Sequence, residues 1–279
     1  MMYAACRSFL SAFAVVVSFT FSAQASPENS ELVFGVYPTL SPSQTVEQFT
    51  PLNDHLTKSL ERPVSLRSAP DFAQFIERTR AGEYDIIFTA PHMGRIAETR
   101  DGYTRIAQTG YSLVVVALAR KDGPIAALAD LKGRKLAIGA KLSMTYQIVD
   151  QALHKQGLAL GRDVEFVDTA SFSNVLEALV RREADAGATS SRLWDGAPPG
   201  KHEVLREIWR SVPAPGFLIL AHPRVGAAAL KRIERAVLDF GKTPAGKTFF
   251  EITRHVDFRP VDAASMKRID PYTAVFDKQ

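Results

Sequence analysis

A chain of 279 residues with one cysteine, Cys6, and a formal net charge of +4 spread along its length excludes several classes of protein. Beyond Cys6 there is no material for a disulfide framework, a catalytic thiolate or a Cys-ligated zinc. The mild positive balance favours anionic ligands weakly and, without an arginine-rich arm or basic runs interleaved with aromatics, makes no case for nucleic acid.

Residues 1–25 carry one positive charge at Arg7, an apolar run over 9–21 and then Ala23-Gln24-Ala25. This is the pattern of a secretory signal cleaved after Ala25, so export is expected. The run is shorter than the roughly 18 to 20 apolar residues that a bilayer span requires. Cys6 precedes the run rather than following it, which does not fit the lipid-modified cysteine of a lipoprotein.

Downstream, short apolar runs alternate with segments of helical period, the pattern of sheets covered by helices. Residues 31–37 are the first strand, 38–42 break it, and 43–60 follow as a helix with Val46, Phe49, Leu52, Leu56 and Leu60 on one face. A second strand spans 64–68, Asp71 caps a helix that runs to Arg80, and a third strand over 84–88 ends at Thr89-Ala90-Pro91-His92. Two extended apolar stretches, 111–119 and 216–222, enclose a second set: strand 135–138, helix 143–155, strand 164–167, helix 172–182 and strand 186–189. Helices over 226–240 and 244–252, with 267–270 near the end, would return to the first half.

A chain that leaves one lobe, builds another and comes back makes a two-segment hinge that can close on a ligand. This divides the chain into 26–115 with 220–279 as lobe 1 and 116–219 as lobe 2. The alternative is a single doubly wound sheet with the same elements. In either case the strand ends at Tyr37, Thr89, Ala140 and Thr189 gather where ligands of α/β sheets bind.

The stretch from Leu131 to Tyr146 reads as a short buried strand running through a Gly- and hydroxyl-bearing loop into a helix. The first turn of a helix has backbone N–H groups without intrahelical partners, and the hydroxyls of Ser143 and Thr145 add donors, so a small oxyanion is held without a metal. The competing role for these hydroxyls is plain helix capping. Met144 is a lining or core residue, because a thioether is a poor partner for an oxyanion.

Several stretches occur in one order: Ala69-Pro70-Asp71-Phe72, Leu131-Lys132-Gly133 followed by the 143–146 loop, Trp209-Arg210-Ser211-Val212-Pro213-Ala214-Pro215-Gly216, Gly241-Lys242-Thr243-Pro244 and Phe258-Arg259-Pro260. With these, from Leu32 to Tyr272, the chain resembles the phosphonate-binding, phosphate/phosphite-type component of bacterial ABC importers, a class II periplasmic binding protein. The resemblance implies an α/β "Venus flytrap" of two lobes, each a mainly parallel sheet flanked by helices, joined by a two-strand hinge. It implies closure on a small tetrahedral oxyanion and delivery to an ABC permease of the inner membrane. It also places the family's Ser-Thr-Ser run on Ser143, Met144 and Thr145. The family's histidine at the head of the following helix falls on Phe172, between Ser171 and Ser173, and a pocket tyrosine falls on Thr89.

A charge-assisted hydrogen bond contributes roughly 1.5 to 3 kcal/mol net, so losing one hydroxyl and a histidine weakens phosphonate binding by powers of ten unless other groups compensate. The candidates are Tyr37, His92, Lys141 and Ser190. Lys141 precedes the loop and is otherwise a solvated charge. Tyr37 offers both a ring and a hydroxyl. His92 is a bystander, a donor into the cleft or, least of all, a metal ligand, since His55, His154, His202, His222 and His255 make no pair at ligand spacing. Phe172 is either core or pocket wall. Acids near Glu183 and Asp185 receive the ammonium in amine-bearing phosphonate binders, but here solvation or pairing with Arg181 or Arg182 is the simpler role.

No nucleophile elbow, His-Glu-x-x-His helix, Walker loop or dinucleotide fingerprint occurs. The expectation is a monomeric binding protein without catalysis, metal or cofactor that hands an oxyanion to an ABC importer. The alternatives are the same trap signalling to a membrane histidine kinase and, behind it, an exported enzyme.

Overall fold

The computed structural model describes residues 30–169, 171, 172 and 174–276. The signal segment expected at 1–25, and Ser173, lie outside the described residues.

The first lobe begins with β1 (Leu32–Val36), α1 (Pro42–Leu60), β2 (Val64–Arg67), α2 (Phe72–Arg80), β3 (Ile86–Thr89), α3 (Pro91–Thr99) and β4 (Thr104–Thr109). The chain then crosses and builds β5 (Val115–Arg120), β6 (Lys135–Ile138), α4 (Met144–His154), β7 (Glu165–Asp168), α5 (Asn174–Val180), β8 (Ala186–Ser190), α6 (Ser191–Asp195), α7 (Pro199–Val204) and β9 (Leu205–Arg210). It returns through β10 (Leu218–Ala221), α8 (Ala227–Phe240), α9 (Pro244–Thr253), β11 (Phe258–Arg259) and α10 (Ala263–Lys267). One sheet has the order β2-β1-β3-β10-β4-β11 and the other β7-β6-β8-β5-β9.

Both sheets are mixed rather than mainly parallel. The β-α-β half of each pairs in parallel, with Phe34 opposite Ile86 and Leu136 opposite Ala186. The strands that follow a crossing, β5 and β10, run antiparallel to their neighbours, with Val116 opposite Thr189 and Leu218 opposite Thr89. A strand that arrives directly from the other lobe has no helical crossover to reverse it, so antiparallel entry is open to it.

The connecting segments 110–114 and 211–217 touch at Leu113 and Ala214, whose N–H groups each donate to the other's carbonyl, at 3.0 and 2.8 Å. Side by side they approach so closely that a Cβ on Gly216 would lie 2.2 Å from the Tyr111 carbonyl oxygen. Only glycine fits there.

Helix α1 starts at a capping box between Ser41 and Gln44 and buries Thr45, Phe49, Leu52, Leu56 and Leu60. Val46, expected on that stripe, is 57% exposed; it sits one residue round the helix, and Thr45 fills the inward place. β4 and β9 were not anticipated as strands. β9 is an edge strand carrying Arg206, Glu207 and Arg210, and charge on an edge guards against unwanted pairing while hiding the strand's apolar alternation. Among the described residues, no helix is long and apolar enough to cross a membrane.

Candidate ligand-binding site

The carboxyl ends of the parallel strands from both sheets meet around one cavity of about 260 Å³. Tyr37 follows β1, Ala90 follows β3, Ser143 opens α4 after β6, and Ser190 ends β8; all four line it. This is the topological position at which α/β sheets hold ligands.

The tip of α4 brings two hydroxyls and the first amides of a helix to the wall. Ser143 is extended at φ −77° and ψ 149°, and its Oγ accepts the Tyr146 N–H at 3.2 Å. The amides of Met144 and Thr145, first in the helix, have no intrahelical acceptor. A hydroxyl that accepts at a cap still has its proton to give, so capping and ligand contact are compatible roles for Ser143. Ser143, Met144 and Thr145 are all buried and all line the cavity.

Tyr37 hydrogen-bonds to the Thr39 side chain, and burial pushes its phenol pKa up. Its ring stacks on Phe72 at 6.1 Å and 14°. His92 is fully buried, and its Nε2 lies 2.9 Å from the carbonyl oxygen of Leu142. A carbonyl only accepts, so Nε2 carries the proton and Nδ1, which has no partner, is an acceptor. Burial pushes this imidazole down to about 4, so it is neutral at pH 7. Ser190 caps α6 by accepting the Leu193 N–H at 3.3 Å and also pairs with the Tyr111 hydroxyl.

The ring of Phe172 packs over Gly139, where an added Cβ would come within 2.7 Å of Cε1. The Thr189 hydroxyl donates to the Phe172 carbonyl at 3.3 Å and fixes that turn. The ring lines the cavity, where the resemblance implies a histidine.

Two expected ligand residues lie elsewhere. Side chains alternate along β3, so Phe88 and Ala90 reach the cavity and Thr89 faces the other way, fully buried beside a small separate void with Phe75 and Ile76. Lys141 is exposed, with Nζ 5.6 Å from the Phe166 ring centroid, and is not among the residues that line the cavity. Asp185 accepts the Lys135 amide at 2.8 Å, at the amino ends of β6 and β8.

Among the lining residues that the sequence reading did not name as ligand contacts are Phe72, Phe88, Tyr111, Arg192, Phe217 and His255. The Arg192 guanidinium lies 4.6 Å from the Tyr111 ring centroid and donates to the carbonyls of Thr253 and Arg254 at 3.3 and 3.2 Å. His255 follows Arg254, a residue in the left-handed region at φ 58°. Burial, reinforced by Arg192, pushes His255 down to about 3, and its Nδ1 has no partner. Strand alternation would have found Phe88, and the crossing segments hold Tyr111 and Phe217. Nothing local in the sequence marks His255.

The family model for the periplasmic substrate-binding protein of phosphonate ABC transporters matches residues 34–266. The chain belongs to this family. It is similar to the phosphonates-binding periplasmic protein of Escherichia coli (strain K12), with 25% identity over 271 residues, 90% of this chain and 79% of that protein. Among solved structures, XAC2383 from Xanthomonas citri bound to ATP is similar at a TM-score of 0.77 and 22% identity, over 90% of this chain and 98% of that one. PhnD1 from Prochlorococcus marinus (MIT 9301), in complex with methylphosphonate, is similar at 0.76 and 16%, over 91% and 100%. Membership assigns the chain to solute capture for ABC import and lends nothing to a histidine-kinase signalling role.

Proposed function

We propose that the protein is exported through its 1–25 signal segment, works in the periplasm as a monomer, and captures a small phosphonate-like oxyanion for its permease. The lobes are 26–115 with 220–279, and 116–219. The observation that carries this reading is the capped tip of α4, with its free amides, standing in a cavity at strand ends of both sheets. Ser143, Thr145 and the amides of Met144 and Thr145 grip the anion. Tyr37, His92, Phe172 and Ser190 complete its surroundings.

Closure follows from contacts made across the lobes. His92 to Leu142, and Arg192 to Thr253 and Arg254, join the two halves in this form. A ligand that bonds to both halves favours the closed form by its differential contact energy. The permease then receives the closed shape. No nucleophile with a positioned base is invoked, and the ligand leaves unaltered.

Calorimetric titration with phosphate, phosphite, methylphosphonate, 2-aminoethylphosphonate and sulfate tests the proposal. At least one of the phosphorus oxyanions is expected to bind at about 1 μM or tighter, about −8 kcal/mol, and to be recovered unchanged by phosphorus NMR. Absence of binding across the panel, or turnover of the ligand, would overturn it.

A further inference from the structure

The tip of α4 accounts for one side of the cavity. Much of the remaining wall is aromatic. Tyr37 stacks on Phe72, and Phe217 lies nearly parallel both to Tyr111, at 6.3 Å and 13°, and to Phe88, at 5.6 Å and 29°. Phe172 adds a further ring from the second lobe. Such a wall stabilises an apolar group in proportion to the area it removes from water, and an aryl group gains stacked or edge contacts as well.

The charges select in the same direction. Among the described residues, no aspartate or glutamate lines the cavity, and Arg192 is its one permanently charged side chain. A ligand ammonium would lose water without meeting a carboxylate. The guanidinium of Arg192 already covers the Tyr111 ring, so it opposes a second cation near a ring face such a cation would use.

The geometry points to an organophosphonate whose phosphorus bears an aryl or comparably bulky apolar group and no cationic group. The head sits at Ser143 and Thr145 and the apolar group lies against the Tyr37, Phe72 and Phe217 rings. This rests on the tip of α4 being the anion site.

Calorimetry of the purified protein with methylphosphonate, phenylphosphonate, 2-aminoethylphosphonate and phosphocholine separates the two readings. Phenylphosphonate is expected to bind at least about tenfold tighter than methylphosphonate, and both cationic compounds more weakly than methylphosphonate. Phe72→Ala, at a half-buried helix start, is expected to weaken phenylphosphonate at least about fivefold more than methylphosphonate. Equal affinities for phenyl- and methylphosphonate would overturn the aromatic selection while leaving oxyanion capture intact. A cationic compound binding tightest would do the same. No binding in any arm would overturn both.

Discussion

His92, on α3 of the first lobe, gives its Nε2 proton to the carbonyl oxygen of Leu142, two residues before α4 in the second lobe, at 2.9 Å. The bond ties the lobes together beside the anion site and keeps a neutral imidazole fully buried. In the unfolded chain this histidine titrates near 6.5, whereas in the folded protein burial holds it down to about 4. Between those values the unfolded state binds a proton that the folded state does not, so stability is complete above about pH 6.5 and falls as the pH drops toward 4. His255, held down to about 3, acts in the same direction. Thermal melts from about pH 7.5 to about pH 5 are expected to show a falling midpoint, with His92 contributing on the order of 2 kcal/mol by pH 5. The His92→Gln variant, which keeps a donor without the titration, is expected to flatten the profile; an equally steep profile would contradict the assignment.

Capping and ligand contact meet in one hydroxyl at Ser143, and one substitution separates them. Ser143→Asp retains a favoured cap, whose carboxylate still accepts the Tyr146 amide. It also places negative charge where the anion's oxygens belong. The melting midpoint is expected to stay near that of the wild type while methylphosphonate affinity falls at least about a hundredfold, about 2.7 kcal/mol. Retained affinity would move the anion away from the tip of α4.

Arg192 reaches from α6 to two carbonyls at the end of α9. Arg192→Ala removes that bridge and shifts the population toward the open form. In stopped-flow binding, dissociation is expected to quicken by about tenfold with association little changed. Arg192→Lys is expected to restore little, because both carbonyls are served by one guanidinium nitrogen while the planar group lies over the Tyr111 ring, and an ammonium cannot hold the carbonyls and cover the ring at once. Unchanged dissociation would show that the bridge has no part in closure.

Phe172 stands where the family resemblance implies a histidine. Phe172→His is expected to raise methylphosphonate affinity by about tenfold, by adding a donor to the oxyanion. It is also expected to reduce the preference for an apolar group. Gly139 leaves room for either ring. Calorimetry on the variant checks both shifts, and equal losses for methyl- and phenylphosphonate would contradict them.

The legible parts of this molecule were those fixed by local chemistry. The cap at Ser143, the cap at Asp71 and the strand over Lys135–Ile138 follow from side chains acting on their own neighbours. Thr89 was misplaced because an alignment of motifs ignores the two-residue period of a strand, which turns Phe88 and Ala90 to the cavity instead. Lys141 was misplaced because nearness in sequence to the loop says nothing of which way a long side chain leaves it. Its ammonium instead lies over the Phe166 ring. Arg192, His255 and the pairing of Tyr111 with Phe217 were invisible because they converge from α6, from the end of α9 and from the two crossings, and only the return of the chain brings them together.

Side-by-side titration of methylphosphonate into the wild-type protein and a Ser143→Ala, Thr145→Ala double variant tests the central claim most directly. The loss of both hydroxyls is expected to weaken binding by at least about tenfold, about 1.4 kcal/mol, with the far-ultraviolet circular dichroism of the fold retained. An unchanged dissociation constant in a folded double variant would contradict an anion held at the tip of α4.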